Sequence, residues 1–352
     1  MQTLPNPHRK YYEGLDAWRG IAMLTIIFTH YFNDVTICRM GWISVDMFFV
    51  LSGFLITKIL LVNKKGTRHF FGHFYARRVI RILPLYFVFL AAFYGAIFLF
   101  HKQEVLNFYI IHWKSYALFL QNWLFVLKGA PGEYYLNHLW SLSVEEQFYI
   151  LWPLVIYFTP EKRLRTVLFS IIGAVCIYRS YVWMNHPHQF ELYYFNTLTR
   201  IDSICMGCLL ACSDERFFKH ARLLVIVLGL VMIGGSIIVH DFEYTSPFFG
   251  TVGYTVLGFF YCFLLYCFIK SNWFNFIKKS RFLNYIGKIS YCMYLVHVPV
   301  FLFMEYKVTD YTRALTWWVP VVSFGVTVGV SSLSWYLLEE RVLRLKKYFP
   351  ER

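Results

Sequence analysis

The chain has 352 residues, of which 58% are hydrophobic and 15% are charged, and its formal net charge is +14. Soluble domains carry about 25% charged residues, so this composition excludes an ordinary soluble domain and indicates a protein that crosses a membrane many times. The basic charge does not predict a nucleic-acid partner, because Lys and Arg fall in short clusters between apolar runs, as they do in membrane proteins.

Ten hydrophobic runs are long enough to cross the ~30 Å apolar core of a bilayer as helices. They lie at residues 17–35, 41–62, 80–100, 138–158, 164–184, 198–213, 221–240, 249–269, 282–304 and 314–338. A further run at 105–127 is interrupted by polar residues, among them His112, Lys114 and Asn122.

Segments rich in Lys and Arg alternate with segments poor in them, and this alternation sets the orientation. The basic segments lie around residues 8–10, 58–81, 161–165, 216–222, 270–281 and 339–352. The alternation closes only if 105–127 does not cross, so we expect a re-entrant or interfacial segment there, with a tilted eleventh helix as the alternative. The sequence therefore predicts an all-α bundle of about ten transmembrane helices with both termini in the cytoplasm.

Most of the eight cysteines lie within apolar runs, where a free thiol packs as a small hydrophobe. Cys205 and Cys208 have the CxxC spacing, but no second pair and no nearby histidine accompanies them. We therefore predict core packing for these thiols and no metal site.

Gly325 and Gly329 have the small-xxx-small spacing that is typical of two helices in close contact. We therefore expect another helix to approach the last hydrophobic run at these two glycines.

The first hydrophobic run carries two ionisable side chains, Arg19 and His30. On a helix they are separated by roughly 16 Å along the axis, about half of the bilayer core. Because ionisable groups are costly inside a bilayer, they usually mark a pathway or a reaction centre. This spacing predicts that one group anchors a charge at one surface while the other acts deep in the membrane.

The predicted orientation places six ionisable residues in the outer half of the bundle. They are His30, Asp46, Glu145, Arg200, Asp202 and His297. Helix bundles bury such groups towards each other or towards a water-filled cavity, so we predict a shared site. Asp46 and His297 also fit structural polar groups that bond a neighbouring helix.

Four arginines lie at the predicted cytoplasmic mouth: Arg19, Arg77, Arg78 and Arg81. Guanidinium groups pair bidentately with phosphate oxygens, so this cluster predicts a polyphosphate ligand. Arg77, Arg78 and Arg81 equally fit the ordinary basic anchors of a membrane helix, and Arg77 is the weaker candidate.

Five segments in order resemble the acyltransferase 3 family of integral-membrane acyltransferases. They are 14–20 (GLDAWRG), 44–57 (SVDMFFVLSGFLIT), 74–86 (FYARRVIRILPLY), 138–153 (HLWSLSVEEQFYILWP) and 287–299 (GKISYCMYLVHVP). The resemblance implies that residues 1–352 form a single integral-membrane acyltransferase domain. It also implies that His30, of the Arg-X10-His motif, is essential, that Glu145 is the acidic residue of its motif, and that Arg78 and Arg81 form the Arg-x-x-Arg pair.

The resemblance implies transfer of an acyl group from cytosolic acyl-coenzyme A, with acetyl-coenzyme A expected as the donor, to a hydroxyl of an extracytoplasmic or lipid-linked glycan at the inner (plasma) membrane. The donor phosphates would bind Arg19, Arg78 and Arg81, and a continuous passage would bring the thioester to His30. His30 would act as a general base or take the acyl group itself, and both routes stay open.

Glu145 would orient the imidazole of His30 or stabilise its charged form in this scheme. The acceptor or the developing oxyanion would contact the four remaining polar residues, which are Asp46, Arg200, Asp202 and His297. Membrane lipid is an expected partner, and association into a homo-oligomer stays open. Two other functions fit the residues, namely a proton-coupled transporter and an O-acyltransferase for a small secondary metabolite.

Overall fold

The computed structural model describes residues 12, 14–32, 35–64, 70–100, 106–132, 134–311 and 318–350, the side chains of residues 36 and 307–311 excepted. Within these residues the secondary structure is helical, without a β-strand. The predicted all-α fold is therefore confirmed for the part of the chain that the structure describes.

Ten long helices occupy the positions of the ten predicted runs. They are α1 (Leu15–Tyr31), α2 (Ser44–Lys64), α3 (Phe70–Leu99), α4 (Trp140–Phe158), α5 (Glu161–Asn185), α6 (Thr197–Cys212), α7 (Ala221–Ile238), α8 (Tyr254–Lys270), α9 (Arg281–Tyr311) and α10 (Val319–Ser334). Shorter helical turns lie at Thr36–Arg39, Met40–Ile43, Asn107–Ile111, Trp113–Ala117, Gln121–Lys128, Asn137–Leu139, Phe190–Tyr194, Phe249–Gly253, Asn272–Phe274, Asn275–Lys278, Trp335–Glu339, Glu340–Leu343 and Arg344–Tyr348. The first residues of the tenth predicted run, 314–317, lie outside the described residues.

Seven helical stretches of the described chain are long and apolar enough to cross a membrane. They are Ile37–Lys64, Phe70–Leu99, Glu161–Asn185, Ala221–Ile238, Phe249–Lys270, Arg281–Tyr306 and Val319–Tyr348. Helices α1 and α6 are shorter, and α4 carries three consecutive polar residues at 145–147. The count of ten crossings stays a prediction. The cytoplasmic termini stay one as well, because both chain ends and the basic segment 8–10 lie outside the described residues.

Helix α6 lies in the interior of the bundle, where 13 of its 16 residues are buried. Helix α7 is its opposite, since among its residues Ala221 and Ser236 alone are buried. A helix surrounded by protein can carry polar side chains that a lipid-facing helix cannot, because neighbouring helices supply their partners.

The segment at 105–127 does not form a continuous helix in its described part, which begins at residue 106. It breaks into three short helices, and Phe119 between the last two has a φ of 55°. The longest, Gln121–Lys128, spans about 12 Å at 1.5 Å per residue, which is too short to cross. Gln147 and Tyr86 hold the segment by donating to the carbonyls of Phe119 and Tyr116, both at 2.8 Å. The segment is therefore not an eleventh spanning helix.

Reciprocal glycines bring α2 and α6 into backbone contact. A Cβ atom added to Gly53 would lie 1.9 Å from the carbonyl oxygen of Ile204 on α6. A Cβ atom added to Gly207 would lie 1.9 Å from the carbonyl oxygen of Val50 on α2. Neither position has room for a side chain, so both helices need glycine at this crossing.

The same arrangement joins α1 to α9. A Cβ atom on Gly20 would lie 2.2 Å from the carbonyl oxygen of Leu283, and one on Gly287 would lie 1.8 Å from that of Asp16. The prediction for Gly325 and Gly329 is wrong, because a Cβ atom at either position would meet nothing within 4 Å. These two glycines of α10 face open space.

Candidate active site

A cavity of about 380 Å³ lies between α1, α2, α3, α4 and α9. Along α2 its wall runs from Ile59 to Val45, which is about 21 Å of helix. One end, here called the arginine end, is formed by Arg19, Arg78 and Arg81. The other, here called the far end, is formed by Ile26, Phe48, Ser141 and Tyr294. The cavity therefore extends through much of the bundle and differs chemically at its two ends.

The arginine end gathers like charges. Arg19 forms an ion pair with Asp16 on the preceding turn of α1, and the Arg78 guanidinium lies 4.5 Å from the ring centroid of Tyr149. Arg81 lies close enough to Arg19 and Arg78 for electrostatic repulsion. Within the described residues neither Arg78 nor Arg81 forms an ion pair with a carboxylate, so the cluster is suited to an anion that offsets its charge.

Arg77 is turned away from this cavity. Its Nη1 donates to the carbonyl oxygens of Phe349, at 2.9 Å, and of Lys346, at 3.4 Å. It also lines a separate cavity of about 60 Å³ that shares Arg78 and Arg81 with the first. Arg77 thus attaches the C-terminal segment to α3 and is not part of the arginine end.

Glu145 lines the main cavity between its two ends, on α4. Its carboxylate accepts hydrogen bonds from Ser52 Oγ and from Tyr149 Oη, both at 2.9 Å. No hydrogen bond joins Glu145 to His30 among the described residues, because His30 Nδ1 lies next to the carbonyl oxygen of Ile26 and to His297 Nε2. The expected role of Glu145 beside the imidazole therefore stays a prediction. The structure places Glu145 beside the arginines.

Three histidines form a cluster just past the far end of the cavity. His30 comes from α1, His297 from α9, and His138 from the turn that leads into α4. The ring centroids of His297 and His30 are 5.0 Å apart, and those of His297 and His138 are 4.8 Å apart. His297 is fully buried and His138 nearly so, whereas His30 is half-buried. The structure confirms the proximity of His30 and His297 and adds His138.

The hydrogen bonds of this cluster assign its tautomers. His297 Nδ1 lies 2.8 Å from the carbonyl oxygen of Tyr294, so in the neutral ring this nitrogen carries the proton and Nε2 has a lone pair. His30 Nδ1 lies 3.4 Å from that lone pair and 3.0 Å from the carbonyl oxygen of Ile26, so it carries a proton as well. His30 Nε2 is then the unprotonated nitrogen, and it has no hydrogen-bond partner among the described residues.

The cavity stops short of the histidines. Ile26 precedes His30 by one helical turn, and the two rings of Phe48 and Tyr294 lie with centroids 6.5 Å apart. Tyr294 Oη donates to the carbonyl oxygen of His138 and lies 2.6 Å from Ser141 Oγ. Neither His30 nor His297 lines the cavity. The continuous passage expected from the sequence is not seen among the described residues, since the lining of the cavity includes Ile26, Phe48 and Tyr294 but no histidine.

Asp46 and Arg200 form a buried ion pair away from the cavity. Arg200 Nη2 lies 2.9 Å from Asp46 Oδ2, and the two side chains are 1% and 0% exposed. Ser203 donates to the other oxygen of Asp46, at 2.6 Å, and the Arg200 guanidinium lies 3.6 Å from the centroid of the Tyr254 ring. The prediction that Asp46 and Arg200 contact an acceptor is not supported, because both side chains are buried and neither lines the cavity. Each carboxylate oxygen of Asp46 has a partner, whereas Nε and Nη1 of Arg200 are buried without a hydrogen-bond partner among the described residues.

Asp202 belongs to a second buried ion pair, with Arg179 of α5. Arg179 Nη1 lies 2.9 Å from Asp202 Oδ2, and neither side chain is exposed. The hydroxyl of Thr255 donates to the same oxygen at 2.8 Å. The expected acceptor contact of Asp202 is likewise unsupported. Arg179 was missed by the sequence reasoning, although an arginine inside the apolar run 164–184 was a usable signal.

The side chains at the far end of the cavity and beyond it were also missed. His138 and Ser141 lie in the segment 138–153 that carries the family resemblance, and Tyr294 lies three residues before His297. Their proximity depends on the crossing of α4 and α9, which spacing along one helix does not reveal. Within the described residues no group of three or more His, Cys, Asp or Glu is arranged to hold a metal ion.

Comparisons with known proteins agree with this architecture. The chain is 29% identical over 360 residues to a putative peptidoglycan O-acetyltransferase, YrhL, of Bacillus subtilis, covering 95% of this chain and 55% of that protein. It is 28% identical to the O-acetyltransferase OatA of Staphylococcus aureus (94% of this chain, 57% of that protein) and to the peptidoglycan O-acetyltransferase OatA of Listeria monocytogenes (94% and 56%).

The chain thus spans little more than half the length of these curated relatives. No solved structure matches it. The family model Acyl_transf_3, described as an acyltransferase domain, matches residues 12–336. The chain belongs to this acyltransferase family.

Proposed function

We propose that the protein transfers an acetyl group from acetyl-coenzyme A to a hydroxyl group of a cell-envelope glycan. The observation that carries the proposal is the cavity, with three arginines at one end and a histidine cluster just past the other. The distance between its ends, about 21 Å along α2, suits a long and extended donor such as an acyl thioester of coenzyme A.

The arginine end would hold the donor by its phosphates. Arg78 and Arg81 form no ion pair with a carboxylate in the described residues, and planar guanidinium groups bind phosphate oxygens bidentately. Arg19 would complete the site, because it lines the same end on α1. Glu145 would keep Ser52 and Tyr149 in place along the arm of the donor, through the two hydrogen bonds it accepts.

His30 would carry the chemistry through Nε2. As a general base, it would take the proton of the acceptor hydroxyl while the hydroxyl oxygen attacks the thioester carbon and the carbon–sulfur bond breaks; the proton then passes to the leaving thiolate. As a nucleophile, Nε2 would attack the thioester carbon while the carbon–sulfur bond breaks and the coenzyme A thiolate leaves. The acceptor hydroxyl oxygen would then attack the acetyl carbon, the bond to Nε2 would break, and the hydroxyl proton would pass to the thiolate. In both routes His297 would keep the His30 proton on Nδ1.

The names of the relatives support a glycan acceptor, since those proteins are named as acetyltransferases of peptidoglycan. The basic segments support an orientation with the arginine end towards the cytoplasm, in the plasma membrane. The acceptor would then reach His30 from the outer side. Transfer would require a passage between the histidines and the far end of the cavity, which Ile26, Phe48 and Tyr294 line.

The experiment uses the purified protein in lipid nanodiscs with acetyl-coenzyme A and peptidoglycan fragments. We expect release of the coenzyme A thiol together with an acetyl ester on the glycan, detected by mass spectrometry. His30→Ala should lower the turnover number by about 10²- to 10⁴-fold, the usual contribution of a general base. His188→Ala, at an exposed histidine, is the matched control.

Two results would overturn the proposal. An unchanged turnover number in His30→Ala would show that the imidazole of His30 is not catalytic. A thioester that stays intact with every glycan would favour the transporter alternative, and esters on a small hydroxylated metabolite instead of a glycan would replace the acceptor.

A further inference from the structure

A small basic cavity adjoins the arginine end. Its volume is about 60 Å³, and it lies between α2, α3 and the C-terminal segment. It is lined by Ile59, Asn63, His73, Phe74, Arg77, Arg78, Arg81 and Lys346. Five of these eight residues are basic and none is acidic, so the cavity concentrates positive potential in a small volume.

A second neighbour of the arginine end is different. This cavity, of about 170 Å³, also includes Arg19 and Arg81, and it adds Lys288. However, the carboxylates of Asp16 and Glu339 line it as well. A dianion would be repelled by these two carboxylates, whereas the residues that line the small basic cavity include no Asp or Glu.

The position of the small basic cavity matches the chemistry of the proposed donor. Acyl-coenzyme A carries a phosphate monoester on the same ribose that bears its diphosphate, so the sites for the two groups must adjoin. The small basic cavity shares Arg78 and Arg81 with the main cavity. A phosphate monoester has a charge of about −1.5 to −2 at pH 7 and three strong acceptor oxygens, which suits several donors in a small space.

We propose that the small basic cavity binds the ribose phosphate monoester of acyl-coenzyme A, and that Lys346 is its selective contact. This inference rests on the proposed donor. Arg78 and Arg81 serve both phosphate sites, whereas Lys346 lines the small basic cavity and not the main one. Lys346 therefore distinguishes a donor that has the monoester from one that lacks it.

The backbone around Lys346 is attached to α3. Arg77 donates to the carbonyl oxygens of Lys346 and Phe349, and His73 Nδ1 lies 3.1 Å from the carbonyl oxygen of Pro350. The Lys346 side chain is half-buried, while that of Lys347 is exposed, with its Nζ 4.9 Å from the centroid of the Tyr348 ring. Two adjacent lysines thus differ in access to the cavity, which gives a matched pair of variants.

The test compares acetyl-coenzyme A with its analogue that lacks the ribose phosphate. We expect the wild-type KM for the analogue to be about tenfold higher, the effect of one lost charge-assisted contact. In Lys346→Ala the ratio of the two KM values should fall to about two, because the natural donor loses the same contact. Lys347→Ala should keep the wild-type ratio. Lys346→Arg should restore most of it.

The lipid of the nanodisc separates two sources of phosphate. With zwitterionic lipid alone, we expect the same KM ratios, about ten for the wild type and about two for Lys346→Ala. If Lys346→Ala instead raises both KM values equally, and only when anionic lipid is present, then a lipid headgroup occupies the small basic cavity and the proposal is wrong. An equal KM for the two donors in the wild-type protein would overturn it as well.

Binding without turnover keeps this result separate from the proposed reaction. Thermal stabilisation by coenzyme A and by dephospho-coenzyme A gives the same comparison, even if no acceptor is acetylated. Preferential stabilisation by coenzyme A that is lost in Lys346→Ala supports the site. Equal stabilisation by both compounds would contradict it.

Discussion

Two groups of charged side chains inside this bundle have opposite surroundings. At the arginine end, Arg78 and Arg81 line a cavity and form no ion pair with a carboxylate among the described residues. In the buried ion pairs, Arg200 and Arg179 are sealed from solvent, each against an aspartate at 2.9 Å. In the amino-acid sequence the two groups look alike, as basic residues within or beside apolar runs.

The difference teaches that a costly charge in a membrane helix has two explanations. A charge that is ion-paired and buried inside the protein makes each partner costly to remove alone, and it is not accessible to a ligand. A charge that lines a cavity beside like charges needs a ligand or water to offset it. A structural charge cluster and a binding site can contain the same residue types. They differ in whether the charges are ion-paired within the protein and whether they line a cavity.

The largest effect on stability is expected at the buried pairs. Arg200→Met leaves Asp46 buried without its partner, so we expect the free energy of unfolding to fall by about 3–5 kcal/mol. The double variant with Asp46→Leu should be less destabilised than the single one, since it removes both charges. Chemical denaturation of the purified protein in detergent measures both. A single variant as stable as the wild type would show that this pair is not structural.

The arginine end should give the reverse result. We expect Arg78→Ala combined with Arg81→Ala to raise the KM for acetyl-coenzyme A by roughly 10²-fold, through the loss of two charge-assisted contacts. The free energy of unfolding should change by less than about 1 kcal/mol, because neither residue is ion-paired. Steady-state kinetics and denaturation of one preparation test the two halves. A rise in the KM for the acceptor alone would contradict the assignment.

A smaller effect separates positioning from packing at the histidine cluster. His297→Ala should lower kcat by about 10- to 100-fold without changing the KM for the donor, because His30 Nδ1 loses one of its two acceptors and keeps only the carbonyl oxygen of Ile26. His297→Gln should restore much of the activity, since its amide oxygen accepts the same hydrogen bond. If both variants lose activity and stability together, His297 is structural, like the buried ion pairs.

Much of the fold could be predicted from the sequence, because the length of an apolar run and the sign of its flanking loops reflect the bilayer directly. The long helices and the broken segment at 105–127 follow from this. Within the site, His30 and His297 were predicted to share one site with four other residues, but their direct contact and the partners of Glu145 were not predicted. The sequence predicts how deep a residue lies along its own helix. It does not predict which side chain on another helix the residue contacts, because that depends on how the helices are rotated against each other.

The glycines show the same limit. Gly325 and Gly329 have the spacing of a contact motif, but a Cβ atom at either position would meet nothing within 4 Å, while Gly53 and Gly207 lie in backbone contact with each other's helices. A missing side chain is informative only when another backbone occupies its place, and this depends on the partner helix.

The reciprocal glycines also constrain how the far end can open. At Gly20 and Gly287, α1 and α9 interlock backbone to backbone, and at Gly53 and Gly207 the same is true of α2 and α6. These backbone contacts leave little room for α1 to shift against α9, so we expect His30 on α1 to keep its position relative to His297 on α9. We therefore expect the far end to widen between these two pairs of helices, where Ile26 of α1 and Phe48 of α2 line the cavity.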